Sequence, residues 1–277
     1  MKPLCYTVLL CLLFLAGAPA FAQNKTPVSG TQDSKAPLEI TADGTLEWLR
    51  NDKQLIARTN ALATQGDSSV AGQTLTADYR EGAEGKGMEI WKVTAETGVI
   101  LTSKTNKAYG EKAVYNLDDG LATLTGGDLK MLSPDQTVTA RERFEYHVEQ
   151  GLFSAIGQAK VVRPKPEGGQ DTLSADKISA VFEKNAVGQQ ALKTLEAFDH
   201  VVITTPTETI TGTYGLYKAS TNTAEIKGGV EIVRGPNTLK GDRAEVDMNT
   251  NTSKIFGGDS AKTRVHGVFY PNSRKTP

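Results

Sequence analysis

Several residue types that build common active sites are scarce in this 277-residue chain. It has two cysteines, three histidines and 6% aromatic residues. Both cysteines, Cys5 and Cys11, lie at the N-terminus, so disulfides and thiol chemistry are excluded from the rest of the chain. The three histidines, His147, His200 and His266, show no ligand-like spacing, and we predict no metal site and no cofactor.

Charge of one sign and catalytic motifs are also missing. Lysine and arginine number 31 against 32 aspartates and glutamates, which is not the footprint of a nucleic-acid-binding protein. No Gly-x-Ser-x-Gly motif and no phosphate-binding Gly-Lys-Ser/Thr loop occurs. Mean hydropathy is −0.34, typical of a soluble chain.

Long apolar runs are absent apart from one at the N-terminus. Lys2 precedes the apolar stretch Leu4–Ala16, which is too short for a comfortable span of about 20 residues. The stretch ends in Ala20-Phe21-Ala22, which fits the small-x-small cleavage rule. We therefore predict a secretory signal peptide over Met1–Ala22, cleaved after Ala22. The polar segments on either side of the main domain are predicted to be a flexible lead-in and a loose tail: residues 23–37 and 272–277.

What the chain does have is a short motif that returns seven times. It consists of an apolar or small residue, any residue, then Ala or Gly, usually followed by a carboxylate, as in Leu173-Ser174-Ala175-Asp176. The spacing of 29 to 37 residues indicates a stacked repeat architecture and not an ordinary globular core. The small residues of the seven copies are Ala42, Ala77, Gly110, Ala140, Ala175, Gly212 and Gly241.

Apolar residues alternate with polar ones around these motifs. Ile40, Ala42, Leu46 and Trp48 share one parity, and a second alternating stretch runs from Phe153 through Ala155. Strict alternation predicts half-buried strands, and the breaker-rich turns between the stretches predict antiparallel hairpins. The sequence therefore predicts an elongated, all-β, antiparallel fold in which each repeat of about 30 residues supplies two strands.

The predicted inward face mixes branched residues with Ala and Gly. A conventional sandwich would fill that face with large side chains. The pattern therefore suits an apolar slot that is incompletely filled, although a simply well-packed β-solenoid interior explains it as well. The inward-facing candidates are Val138, Phe144, Phe153, Ala155, Gly157, Val161, Ile226, Gly228, Val230 and Ile232.

Five segments carry a resemblance to a known family. They are Ile40–Trp48, Ala71–Tyr79, Leu124–Gly127, Ile226–Val230 and Leu239–Asp247, with recurring Ala-Asp and Gly-x-Val elements. In series behind a leader, they resemble the OstA-like (LptA-type) family of periplasmic lipopolysaccharide (LPS) transport proteins, over residues 38–271. In two copies the carboxylate is replaced, by Arg141 and Thr213.

The resemblance implies a β-jellyroll, also called a β-taco, whose apolar groove binds lipid A acyl chains and performs no catalysis. The ten inward-facing candidates would then be lipid-binding residues. It further implies a periplasmic location and open sheet edges that pair with an LptC-like inner-membrane component and an LptD-like outer-membrane component, with end-to-end self-association as a further option. Such a bridge would serve outer membrane assembly.

Three alternatives remain from the sequence. An LptC-like bridge component is close, but that role usually retains a membrane helix. A secreted β-solenoid for adhesion or scaffolding would have a filled interior and no lipid. A carbohydrate-active enzyme could use Asp43, Asp78, Asp176 or Asp242, but these recur at repeat positions, whereas an active site needs one unique constellation.

Overall fold

The computed structural model describes residues 37–82, 87–166, 168–185, 190–250, 252–258 and 264–270. These residues form strands and turns without any helix, and every strand pair described below is antiparallel, so the all-β antiparallel prediction is confirmed. In this part of the chain there is accordingly no helix long and apolar enough to cross a membrane. The predicted leader, most of the lead-in and the tail lie outside the described residues.

Eighteen strands follow one another along the described chain. They are β1 (Glu39–Thr41), β2 (Thr45–Leu49), β3 (Gln54–Gln65), β4 (Ser68–Glu81), β5 (Met88–Ser103), β6 (Asn106–Asn116), β7 (Leu121–Thr125), β8 (Leu129–Leu132), β9 (Thr137–Ala140), β10 (Arg143–His147), β11 (Leu152–Pro164), β12 (Gln170–Lys184), β13 (Gln190–Thr204), β14 (Thr209–Lys218), β15 (Thr223–Arg234), β16 (Asn237–Asp247), β17 (Thr252–Phe256) and β18 (His266–Val268).

Contacts divide the chain into two compact units. The first comprises Met1–Pro134, Glu142–Leu152 and Lys184–Ala191, and the second comprises Asp135–Arg141, Phe153–Glu183 and Leu192–Pro277. Sequential hairpins run from β2 to β7 in the first unit and from β13 to β17 in the second. Each unit is therefore dominated by pairing between neighbours in sequence, as the repeat pattern predicts.

Alternate strands bend at a bulge of two residues. In β15 the register slips between Lys227 and Val230, and the two residues in between, Gly228 and Gly229, have φ angles of 80° and 64°. Such left-handed backbone gives the strand a local kink and leaves the bulged residues unpaired. The same device lies in β3, β5 and β13, at Thr59-Asn60, Thr97-Gly98 and Asp199-His200. We call these positions corners, and the strand segments on either side arms.

The strands that pair with the bulged ones carry a small residue at the corner. A Cβ atom added to Gly212 would lie 2.6 Å from Cγ2 of Ile226, and one added to Gly110 would lie 2.8 Å from Cδ1 of Leu124. The neighbouring strand's branched side chain thus occupies the space that a larger residue would need. At these corners the small residues therefore accommodate a neighbour, and the repeating motif records that close approach.

One of the seven predicted motif copies is out of register. Ala77 lies within an arm of β4, where it pairs with Leu55 and Val93. The bulges of β3 and β5 instead lie opposite Gly72 and Gln73. The equivalence assigned to Ala77 is therefore wrong, because the corner is defined by pairing with neighbouring strands and not by the local tetrapeptide.

The carboxylates of the motif stabilise the adjoining bulge. Glu111 Oε2 accepts a hydrogen bond of 3.3 Å from the Gly98 backbone N–H, and Asp43 Oδ2 accepts one of 2.8 Å from the Asn60 side chain. Asp176 Oδ2 lies 2.9 Å from Nδ1 of His200. Because each of these contacts spans a corner, the periodic carboxylates have a structural role there, whereas Asp78 lies in mid-strand beside Gln54 and Lys92.

Candidate functional site: the inward apolar face

Most of the inward-facing candidates are buried. Ile226, Val230 and Ile232 pack in one cluster within the second unit, together with Ile210 and Ala244. The seven buried candidates are Val138, Phe144, Phe153, Ala155, Ile226, Val230 and Ile232. The predicted parity is therefore correct for these residues, while their role in lipid binding stays a prediction.

The cluster in the second unit joins the two arms of its strands. Ile210 and Ile232 are paired on one side of the corner, whereas Ile226 and Ala244 are paired on the other. Ile203, Leu239, Val246 and Ile255 complete the cluster. The inward faces of the two arms therefore pack against each other, and branched side chains fill the space between them.

The other three candidates are half-buried. Val161 pairs with Val138 on β9 and lies on the inward face. Gly157 and Gly228 have the inward parity, but both have left-handed backbone, with φ angles of 86° and 80°, and Gly228 occupies the corner bulge of β15. Glycine is needed there because of the left-handed backbone, so these two residues shape the backbone and their Cα atoms supply little apolar surface.

An apolar crevice opens on the inward face of the first unit, where sequence reasoning had placed no site. It measures about 370 Å³, counting the part that opens to solvent, and about 20 Å³ of it admits the centre of a water molecule. Three alanines, Ala57, Ala63 and Ala77, line it. The remaining lining residues are Leu38, Ile40, Leu46, Leu55, Leu75, Thr76, Ile90 and Val93.

The mouth of the crevice changes from apolar to cationic along β2. Leu46 and Trp48 pair with Ala57 and Leu55, so both side chains lie on the inward face, yet they are 62% and 54% exposed. Trp48 Nε1 donates a hydrogen bond of 2.8 Å to the hydroxyl of Tyr79, which fixes the indole. Beyond it, the Arg50 guanidinium carbon lies 4.7 Å from the Trp48 ring centroid.

The sequence did contain a signal for this crevice. Ala57, Ala61 and Ala63 fall on one face of β3, but the Thr59-Asn60 bulge between them breaks the alternation. A strand with a hidden bulge and small apolar residues is difficult to recognise from periodicity alone. Room beside an alanine also depends on the side chains opposite it, which periodicity does not reveal.

A second concavity, of about 1090 Å³ counting the part that opens to solvent, lies along β14–β17 and is lined by residues from both faces of these strands. Its lining follows cross-strand rows in which Leu216, Glu225, Glu245 and Lys254 are successive partners. Ion pairs with Lys227 and Arg243 help to lower the pKa of the Glu225 carboxyl, the hydrogen bond from Lys227 having the largest effect. The glutamates and lysines in this lining do not suit an acyl chain, although this concavity is the larger of the two.

Other charged groups on the described surface are likewise arranged in exposed pairs. Arg80 bridges Glu89 and Asp118 at 2.7 and 2.8 Å, and its hydrogen bonds with them raise the pKa of Arg80. Ion pairs that are as exposed to solvent as these contribute little to the free energy of unfolding. Among the described residues there is no group of three or more His, Cys, Asp or Glu side chains that could hold a metal ion.

Comparison with known proteins agrees with the repeats. No curated protein matches the chain. Among solved structures, the chain is similar to LptH, "the LptA homologous periplasmic component of the conserved lipopolysaccharide transport device from Pseudomonas aeruginosa", at 11% identity and a TM-score of 0.22, over 85% of this chain and 96% of that one. A TM-score this low supports no argument about shape or function.

The family comparison is more informative. Residues 39–152 match the model described as "LptA/(LptD N-terminal domain) LPS transport protein". These residues include β1–β10 and every lining residue of the apolar crevice except Leu38. The family is one of transport proteins, so the prediction of a protein without catalytic activity is confirmed. Over residues 39–152 the chain therefore matches the LptA/LptD N-terminal domain family of LPS transport proteins, and the OstA-like resemblance that its repeats predicted is confirmed.

Proposed function

We propose that this protein is a periplasmic LPS-binding transport protein that shields lipid A acyl chains on its inward apolar face. The observation that carries the proposal is the alanine-lined crevice, because nearly all of its lining lies within the residues that match an LPS transport family. The predicted signal peptide, Met1–Ala22, would deliver the chain to the periplasm.

The crevice has the chemistry that an acyl chain requires. Its lining is apolar apart from Thr76, and the exposure of Leu46 leaves one side accessible. Transfer of a methylene group from water to such a surface is favourable by about 0.8 kcal/mol. A chain of ten or more methylenes would thus gain enough to offset the ordering of its bonds, without any polar contact.

Site-specific photo-crosslinking tests the proposal with adjacent residues. A photoreactive phenylalanine derivative at Ala63, on the inward face, should capture LPS in cells. The same group at Leu62, which is outward and 38% exposed, should not. Equal capture from both positions, or capture from Leu62 alone, would reject the acyl-chain site. The absence of LPS from both positions would favour a scaffolding protein.

We further propose that the two ends of the strand series bind partner strands. β1 and β2 both pair with β3, and β17 and β18 both pair with β16. Trp48 near one end and Phe269 near the other are more than half exposed. Exposed strand edges are normally a liability and are a common device for strand addition. An LptC-like component at one end and an LptD-like component at the other would make a continuous bridge.

Introduced cysteines can test these contacts, since the sequence after Ala22 has none. A cysteine at Thr45 or at Val268 should form disulfides with cysteines placed on partner edge strands. A cysteine at Thr76 in β4, flanked by β3 and β5, serves as the control. Crosslinks from Thr76 as efficient as those from the edges would contradict strand addition. Depletion of the protein should leave LPS at the inner membrane.

A further inference from the structure

We propose that Trp48 and Arg50 form a headgroup contact at the mouth of the crevice, where Arg50 binds a phosphate of an amphiphile whose acyl chains occupy the crevice. This inference rests on the proposed function, since it assigns a second contact to the same ligand. It adds a polar recognition element that the apolar lining lacks.

The side chains along one face of the chain follow the order of groups in an amphiphile. Leu46 lines the crevice, Trp48 follows two residues later on the same face, and Arg50 lies beyond it with its guanidinium over the indole ring. This sequence of apolar, amphipathic and cationic side chains matches an amphiphile from its chains to its headgroup. Indole rings are favoured at such boundaries between apolar and aqueous surroundings.

The Trp48 indole and the Arg50 guanidinium are both held in place. The 2.8 Å hydrogen bond from Trp48 Nε1 to the Tyr79 hydroxyl anchors the indole to a buried residue of β4. Stacking on the fixed indole then restricts the guanidinium of Arg50. Less side-chain entropy is lost when a ligand binds a preordered group, so this exposed arginine is suited to binding.

Arg50 also differs in charge compensation from the cations around it. Arg50 has no carboxylate partner within the described part of the chain, whereas three neighbouring cations do. Arg58 pairs with Glu47 at 3.0 Å, Lys53 with Glu81 at 2.7 Å, and Lys92 with Asp78 at 3.2 Å. The uncompensated charge at the mouth therefore belongs to the residue that stacks on Trp48. A planar guanidinium can donate two parallel hydrogen bonds to a phosphate, which an ammonium group cannot match.

Binding of two lipids by matched variants tests the inference. Bisphosphorylated lipid A and the same lipid after removal of both phosphates are titrated into the full-length mature protein and its variants, with Trp48 fluorescence followed in a Trp91→Phe background. Arg50→Gln should weaken binding of the phosphorylated lipid by about 3- to 10-fold, as expected for one exposed charge-assisted contact. It should leave the dephosphorylated lipid unaffected. Arg58→Gln removes the same charge from a neighbouring, paired site and should change neither affinity.

The outcomes separate the two proposals. If Arg50→Gln weakens both lipids equally, or neither, the headgroup contact is rejected while the acyl-chain site stands. If the unsubstituted protein binds neither lipid, the proposed function itself fails. Inorganic phosphate alone should not compete at millimolar concentration. Competition as strong as that of the lipid would replace the headgroup with a free anion and overturn the inference.

Discussion

The two units use the same strand pattern, but the inward face beside β1–β5 in the first unit differs from the cluster in the second. There Ala57 and Ala63 line a crevice, although Leu124 is fully buried further along the same unit. In the second unit, Ile226 and Ile232 are among the branched residues that pack in one cluster. Alternation fixes which residues point inward, whereas the size of those residues decides whether the arms enclose room for a ligand.

The corners differ as well. The first unit places Thr59 and Thr97 in left-handed backbone, at φ angles of 70° and 65°, which is unfavourable for β-branched residues. The second unit places Asp199-His200 and Gly228-Gly229 at its bulges, residue types that enter left-handed backbone more readily. The β-branched corners therefore lie in the unit that also holds the crevice. Strain and incomplete packing concentrate at functional sites, which agrees with the crevice as the binding region.

The largest expected difference follows from truncating one inward residue in each unit. Ile226→Ala removes a side chain that is 1% exposed and should lower the free energy of unfolding by about 2–5 kcal/mol. Leu46→Ala removes a side chain at the crevice mouth that is 62% exposed and should cost less than about 1 kcal/mol. Urea unfolding followed by circular dichroism measures both changes. Equal costs would show that the two interiors are equally packed.

Enlarging an alanine tests the same contrast from the opposite side. Ala244→Leu overfills a position that is 0% exposed and should destabilise the protein by about 1–3 kcal/mol. Ala77→Leu places the same atoms beside the crevice and should cost less than about 1 kcal/mol, because the new side chain can extend into open space. The Ala77 variant should also bind less LPS. Full binding with a leucine at position 77 would place the ligand elsewhere.

Much of this fold was predictable because alternation is a local property. The parity of Phe153, Ala155 and Ile226 requires only that one sheet face be buried. The position of the corners is non-local, since Ala77-Asp78 and Gly72-Gln73 look equally good as sequence motifs and only the neighbouring bulges distinguish them. Gly228 likewise has the inward parity, yet its role is to allow the left-handed backbone of the bulge, which the sequence pattern does not reveal.

The candidate site was less predictable than the fold. A groove lined by residues such as Ile226 and Val230, mixed with Ala and Gly, was expected, but the lining of the crevice contains none of the ten candidates. The free volume of a groove is a difference between two facing walls, and a single strand pattern describes only one of them. The stacking of Arg50 on Trp48 was equally hidden, because the role of a charged residue in a turn depends on the tertiary contacts around it.

Exchanging residues between the two kinds of corner should give smaller changes of opposite sign. Gly228→Ala forces a Cβ into left-handed backbone and against the Thr213 side chain, and should cost about 1–2 kcal/mol. Thr97→Gly relieves strain but increases the entropy of the unfolded chain, so we expect a net gain below about 1 kcal/mol. Thermal unfolding of both variants is the measurement, with Gly127→Ala, whose added Cβ meets no atom within 4 Å, as the neutral control. Destabilisation by Thr97→Gly would mean that the threonine corner is not strained.

The smallest expected effect concerns a corner contact of the second unit, Asp176 with His200, in which both partners can gain or lose a proton. The hydrogen bond with Asp176, and then the carboxylate charge, raise the pKa of His200 above its ordinary value of 6.5. Because the folded pKa is the higher one, the pair contributes its stability below pH 6.5 and loses it as the pH rises through the folded value. In the equivalent contact of the first unit, Asn60 with Asp43, the asparagine side chain does not gain or lose a proton.

NMR titration of the imidazole should show a lower His200 pKa in Asp176→Asn than in the unsubstituted protein. An unchanged value would remove the difference in pH sensitivity between the two corners. Since both side chains are more than half exposed, the gain in overall stability should be slight, and the titration itself is the informative measurement.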